Sequence, residues 1–119
     1  MEHRARAVLF GDSITQQSFA VGGWGARLAD KLFRKVDVFN RGYSGYSTRT
    51  ILPLLPFVFP ETCNTFLATI FFGANDSCFP GGEFPQHVPL AEYEQNLKTL
   101  VSHVKKSTKV KLVSLEPLS

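Results

Sequence analysis

Four short apolar runs, set apart by polar loops and by stretches of helical period, constrain the fold more than any other feature. Ala7-Val8-Leu9-Phe10 is continuous rather than alternating, the pattern of a strand covered on both faces. Val36 to Phe39 predicts a second strand, Leu67 to Phe72 (LATIFF) a third, and Val110 to Leu115 a fourth. Between them the period becomes helical. From Trp24 to Lys35, Leu28, Ala29, Leu32 and Phe33 fall together, with Arg27, Asp30, Lys31 and Arg34 elsewhere. Thr48 to Leu55 predicts a short helix cut off by Pro56. Leu90 to Lys106 predicts a long one, with a stripe of Leu90, Tyr93, Leu97, Leu100, Val101 and Val104. Pro89 stands near its first turn, and Lys105 and Lys106 suit the negative end of its dipole. The order β-α-β-α-β-α-β calls for a parallel sheet with helices on both faces.

A chain of 119 residues suits one domain, 1–119, and can bury roughly two-thirds of its unfolded surface. The net charge of +3 is mild, and Lys and Arg are scattered rather than gathered into a basic block, which points away from nucleic acid. Cys63 and Cys78 form no C-x-x-C pair and no zinc spacing, and read as reduced thiols. The N-terminus lacks the apolar core of a secretory signal, and ILPLLPFVFP is too short and too proline-rich to span a bilayer, so a cytoplasmic location without a membrane span is expected.

In open parallel sheets, chemistry gathers beyond the carboxyl ends of the strands. The stretches that follow the first three strands are GDSIT, NRGYSGYST and GANDS, all rich in Gly, Ser, Asn and Asp. They are expected to converge. Together they could assemble acyl-transfer chemistry: a serine on a tight turn, a glycine-loop N–H and an asparagine amide as oxyanion donors. Each residue also has a plainer reading. Ser13 could cap a helix, and Asp12 could bond loop N–H groups. Trp24 reads as core packing, and Tyr43 and Tyr46 as either pocket rim or loop packing. Asn75-Asp76-Ser77 fits the glycosylation pattern and reads as coincidence.

FGDSIT, NRGYSGYST and FFGANDS resemble blocks of the GDSL, or SGNH, hydrolases. GGWGARLAD, RGYSGYSTR, FFGANDS and QHVPLAEY are most similar to the isoamyl acetate-hydrolysing esterase branch, and the likeness runs along nearly the whole chain. The resemblance implies a flavodoxin-like α/β/α sandwich with a parallel sheet, the SGNH hydrolase fold, using no metal and no organic cofactor. It implies Ser13 as nucleophile, with the Ser13 N–H, the Gly45 N–H and the Asn75 side chain around the oxyanion. Gly42 is a nearby glycine, and Asp12, Tyr46 and His87 are possible pocket residues.

The family's Asp-x-x-His element, whose His deprotonates the serine, does not occur here: three residues after Asp12, Asp30, Asp37 and Asp76 stand Thr15, Phe33, Asn40 and Phe79. His3 precedes the first strand, His103 is expected to be exposed on the long helix, and His87 alone lies on the side of the three loops. The C-terminal part of the fold is therefore expected to be missing, leaving the fourth strand as an edge. Two functions follow. One is a serine esterase for small acyl esters such as short-chain acetates. The other is a truncated product or pseudoenzyme with a binding role. Oligomeric state stays open.

Overall fold

A computed structural model describes residues 5–32, 34–60, 65–80 and 86–115, with 107–115 as backbone alone. His3, Phe33, Cys63, Gly81, Gly82 and Pro85 lie outside the described residues. In chain order the elements are β1 (Arg6–Gly11), α1 (Ser13–Gln16), α2 (Trp24–Lys31), β2 (Asp37–Gly42), α3 (Thr48–Ile51), α4 (Leu55–Val58), β3 (Thr65–Phe71), α5 (Leu90–Ser107) and β4 (Thr108–Leu115). The strands form one parallel sheet in the order β2-β1-β3-β4, as the alternation of elements requires.

Burial of β1 explains its continuous apolar run. Val8 and Phe10 point into a cluster with Ala68, Ile70 and Phe72 of the β3 segment, Ile51, Leu55, Val58 and Phe59 around α3 and α4, and Leu100 and Val104 of α5. Ala7 and Leu9 point the other way, lie outside that cluster, and are equally buried at 0% exposure. Both faces of β1 are therefore covered. Phe10 anchors the larger side, with its ring edge-on to Phe59 at 5.2 Å and to Phe72 at 4.9 Å between centroids.

Several boundaries differ from the sequence reading. β2 continues past Phe39 to Gly42, because Asn40, Arg41 and Gly42 pair with Leu9, Phe10 and Gly11. Their polar side chains are tolerated on an edge strand. α2 stops at Lys31 instead of Lys35, and Arg34 at φ +71° turns the chain in the left-handed conformation. Pro56 opens α4 rather than ending a helix, since a first-turn position needs no N–H. His103 is half-buried rather than exposed, with Nε2 3.0 Å from the Phe59 carbonyl. Among the described residues no helix is long and apolar enough to cross a membrane.

Truncating Phe10 would empty the centre of the larger cluster. Phe10→Ala is expected to lower unfolding free energy by about 3–5 kcal/mol, read from urea denaturation; a loss below 1 kcal/mol would show that the neighbouring rings close the space.

Candidate active site

The segments that leave the carboxyl ends of β1, β2 and β3 meet, as expected. The first is very short. Gly11 ends β1, and Ser13 is already the first residue of α1, half-buried, with its N–H among the amides that a helix start leaves unpaired. Asp12 is the cap: its Oδ1 accepts the Ile14 N–H at 3.0 Å. Its carboxyl is fully buried, and Oδ2 makes no hydrogen bond among the described residues. Burial pushes the Asp12 pKa above the ordinary carboxylate range. The N–H groups of Ile14, Asp12 and Ala74 pull it down, and the charge of Asp76 adds to the rise. Asp12 thus holds the start of α1 through one oxygen.

The second segment locks onto the first through backbone. The Tyr43 N–H donates to the Gly11 carbonyl at 2.7 Å, and Asn40 Nδ2 donates to the Gln16 carbonyl at 2.9 Å. A Cβ on Gly42 would stand 2.1 Å from the Gln16 nitrogen, so only glycine lets β2 end this close to α1. The Gly42 N–H is itself donated to Asn40 Oδ1 at 2.9 Å. A β-turn follows, closed by the Tyr46 N–H on the Tyr43 carbonyl at 3.1 Å. Gly45 occupies its third position at φ +83°, as in a type II turn. Among the described residues no hydrogen bond is made by the Gly45 N–H. The rings of Tyr43 and Tyr46 lie 5.4 Å apart and, partly buried, pack against the core cluster.

The third segment is tied to the second by adjacent residues. Asn75 Nδ2 donates to the Tyr46 carbonyl at 2.9 Å. An amide nitrogen has two hydrogens, so a second remains for another acceptor. Asp76 is 3% exposed and accepts the Thr48 N–H at 3.0 and 3.1 Å on its two oxygens, together with the Thr48 hydroxyl. Asn96 of α5 donates to that hydroxyl at 3.1 Å, and the Tyr93 hydroxyl donates to the Phe72 carbonyl at 2.8 Å. Arg49 grips Glu92 with two hydrogen bonds of 2.6 Å, pulling the exposed Glu92 carboxyl below its ordinary pKa.

His87 also lies in this region. Its Nδ1 is 2.9 Å from the Cys78 carbonyl, which can only accept, so Nδ1 carries the hydrogen and Nε2 keeps the lone pair in the neutral ring. No hydrogen bond joins His87 to Ser13 among the described residues. Ser13, Gly45 and Asn75 therefore lie on three loops held together by the bonds above. Thr48, Asp76, Gln86, Tyr93 and Asn96, which do much of the holding, were not singled out from sequence. Among the described residues no three His, Cys, Asp or Glu side chains cluster as metal ligands.

Comparison with known proteins gives this arrangement a family. The model of the GDSL-like lipase/acylhydrolase family matches residues 9–119. A mouse protein named isoamyl acetate-hydrolyzing esterase 1 homolog is 54% identical over 103 residues, which cover 84% of this chain and 41% of that protein. Among solved structures, an acetyl xylan esterase superimposes with a TM-score of 0.75 at 19% identity, over 90% of this chain and 56% of that one. The SGNH-hydrolase family esterase AlinE4 does so with 0.69 at 23% identity, over 96% and 59%. These distant structures establish the fold. The chain spans less than half the length of such curated relatives.

Two outcomes follow from the carboxylates. A carboxyl whose folded pKa is raised favours the fold while protonated; that contribution is full below its ordinary value of 3.8 and is lost as pH rises through the raised value. Asp12→Ser keeps a cap without the charge, so its melting temperature should gain on that of the wild type as pH climbs from 4 to 7; a pH-independent gap would contradict the raised pKa. Asp76→Ala leaves the Thr48 N–H and the hydrogen of its hydroxyl buried without an acceptor, and should cost about 3 kcal/mol in denaturant unfolding. By its matched length and its ordered blocks, the chain belongs to the GDSL-like lipase/acylhydrolase family.

Proposed function

We propose that the chain forms the nucleophile and oxyanion half of a serine hydrolase for small acyl esters, short-chain acetates among them. Ser13 Oγ attacks the ester carbonyl. The carbonyl oxygen becomes negative and is met by the N–H groups of Ser13 and Gly45 and by the second hydrogen of Asn75 Nδ2. Collapse expels the alcohol and leaves an acyl-serine, which water hydrolyses. The acetate preference rests on the similarity to isoamyl acetate esterase homologues. The observation that carries the mechanism is the meeting of the three loops, with the Gly45 N–H and one Asn75 hydrogen left over after the packing bonds are made.

The base is a histidine of an Asp-x-x-His pair, which these 119 residues do not contain. A second reading, a domain that binds an ester or a partner without turnover, shares every residue named above. The two separate in one experiment. The chain and its Ser13→Ala variant are mixed with a chromogenic acetate, quenched, and analysed by mass spectrometry of peptides. The first reading expects an acetyl group on the peptide that carries Ser13, and faster release of the chromophore by the wild type. Without a base, the oxyanion donors alone can still give rates about a thousandfold over water. Equal release by both proteins with no adduct would favour binding without turnover.

A further inference from the structure

The Gly45 turn has an anchor that the reaction scheme above leaves unused. Gln86 Nε2 donates to the Gly45 carbonyl at 2.7 Å. The other end of the same amide, Oε1, lies 3.6 Å from the Cys78 thiol, which fixes which way the amide faces. We propose that Gln86 is a positioning residue, holding the Gly45 turn in the conformation that aims the Gly45 N–H at the oxyanion. This rests on the serine hydrolase reading and deepens it.

The reasoning is one of successive peptide planes. The Gly45 N–H belongs to the Ser44–Gly45 peptide, the central plane of the turn, and among the described residues that N–H makes no hydrogen bond. Types I and II turns differ by a flip of this central plane, which reverses the direction of its N–H. Glycine at the third position tolerates both, so the sequence of the turn does not by itself choose. The planes on either side are pinned. Before it, the Ser44 N–H donates to Gln16 Oε1 at 2.7 Å. After it, the Gly45 carbonyl accepts from Gln86. Gln86 also lies against the glycine itself, since a Cβ there would stand 3.4 Å from Nε2. Gln86 thus braces the one residue whose φ of +83° sets the direction of that N–H, through its carbonyl and through the space over its α carbon. Removal of the amide takes this brace away, and the donor then spends part of its time pointing away from the developing charge.

The test compares the wild type with Ser13→Ala, Gln86→Ala and Gln86→Glu on a chromogenic acetate, with melting temperatures alongside. Gln86→Ala is expected to lower kcat by about ten- to a hundredfold with KM little changed, less than the loss for an oxyanion donor removed outright. Gln86→Glu is close in shape, but its carboxylate cannot donate to the Gly45 carbonyl, whereas its protonated form can. Its rate relative to the wild type should therefore recover as pH falls through the carboxylate range, a signature that loss of packing would not give. If Ser13→Ala is inactive while Gln86→Ala keeps the wild-type kcat, the positioning role is overturned and the hydrolase reading stands. If Ser13→Ala matches the wild type, both are overturned. Should Gln86→Ala fail to fold, the pH-dependent ratio of Gln86→Glu decides, and a flat ratio overturns the proposal.

Discussion

A single buried carboxylate holds the loop end of this sheet together. Asp76 leaves water almost completely and would be costly to bury if its oxygens were unpaired. Both oxygens are satisfied by one residue, Thr48, through its backbone N–H and its hydroxyl. Asn96 then bonds that hydroxyl from α5, so one carboxylate joins the third loop, the start of α3 and the long helix. The Tyr93 hydroxyl on the Phe72 carbonyl and the Arg49–Glu92 pair repeat the same connections nearby. The buried tie fixes geometry more firmly than the exposed pair, because solvent and salt weaken an ion pair at the surface. Asn75 adjoins Asp76 in sequence and inherits its placement.

The division of labour at this end is between backbone and side chains. Backbone brings β1 and β2 into contact through Tyr43 and Gly11, and glycine at position 42 permits the approach. Side chains then fix the turns that the backbone leaves free. Gln16, Asn40, Asn75 and Gln86 are all amides that reach across to main-chain groups of another segment or turn. An amide suits this work because it donates and accepts without adding charge near the Ser13 region. The Asp12 and Asp76 carboxyls are buried, and each accepts from N–H or hydroxyl groups.

Much of this was legible in the sequence. Continuous apolar runs marked β1 and β3 because both are buried on two sides, and the stripe from Leu90 to Val104 marked α5. The blocks around Ser13, Gly45 and Asn75 were legible because each follows a strand in a parallel sheet. The helix pieces after Ser47 were harder. Ser47 and Thr50 cap each other as a reciprocal box, but threonine replaces the usual acid or amide, so the signal was weak. Pro56 was read as a breaker although it sits where a new turn begins. The bracing residues were not legible at all. Gln86 acts on a residue far away in sequence, and Tyr93 and Asn96 lie on a helix whose pattern predicts only which side is apolar. His103 was misjudged for the same reason: its partner, the Phe59 carbonyl, follows α4 and is close only in the folded chain.

On the hydrolase reading, the raised pKa of Asp12 would bear on the oxyanion. Full negative charge on a residue adjoining Ser13 would oppose a second negative charge on the substrate oxygen, and Asp76 would add to that opposition. Asp76 has both oxygens bonded to Thr48. Asp12 has one oxygen on the Ile14 N–H and the other without a hydrogen bond among the described residues. On that reading, the raised pKa of Asp12 would lessen this opposition, while its carboxyl caps α1. The Asp of GDS thus caps the helix that begins at Ser13 and, on the hydrolase reading, would leave the Ser13 proton for another group to take.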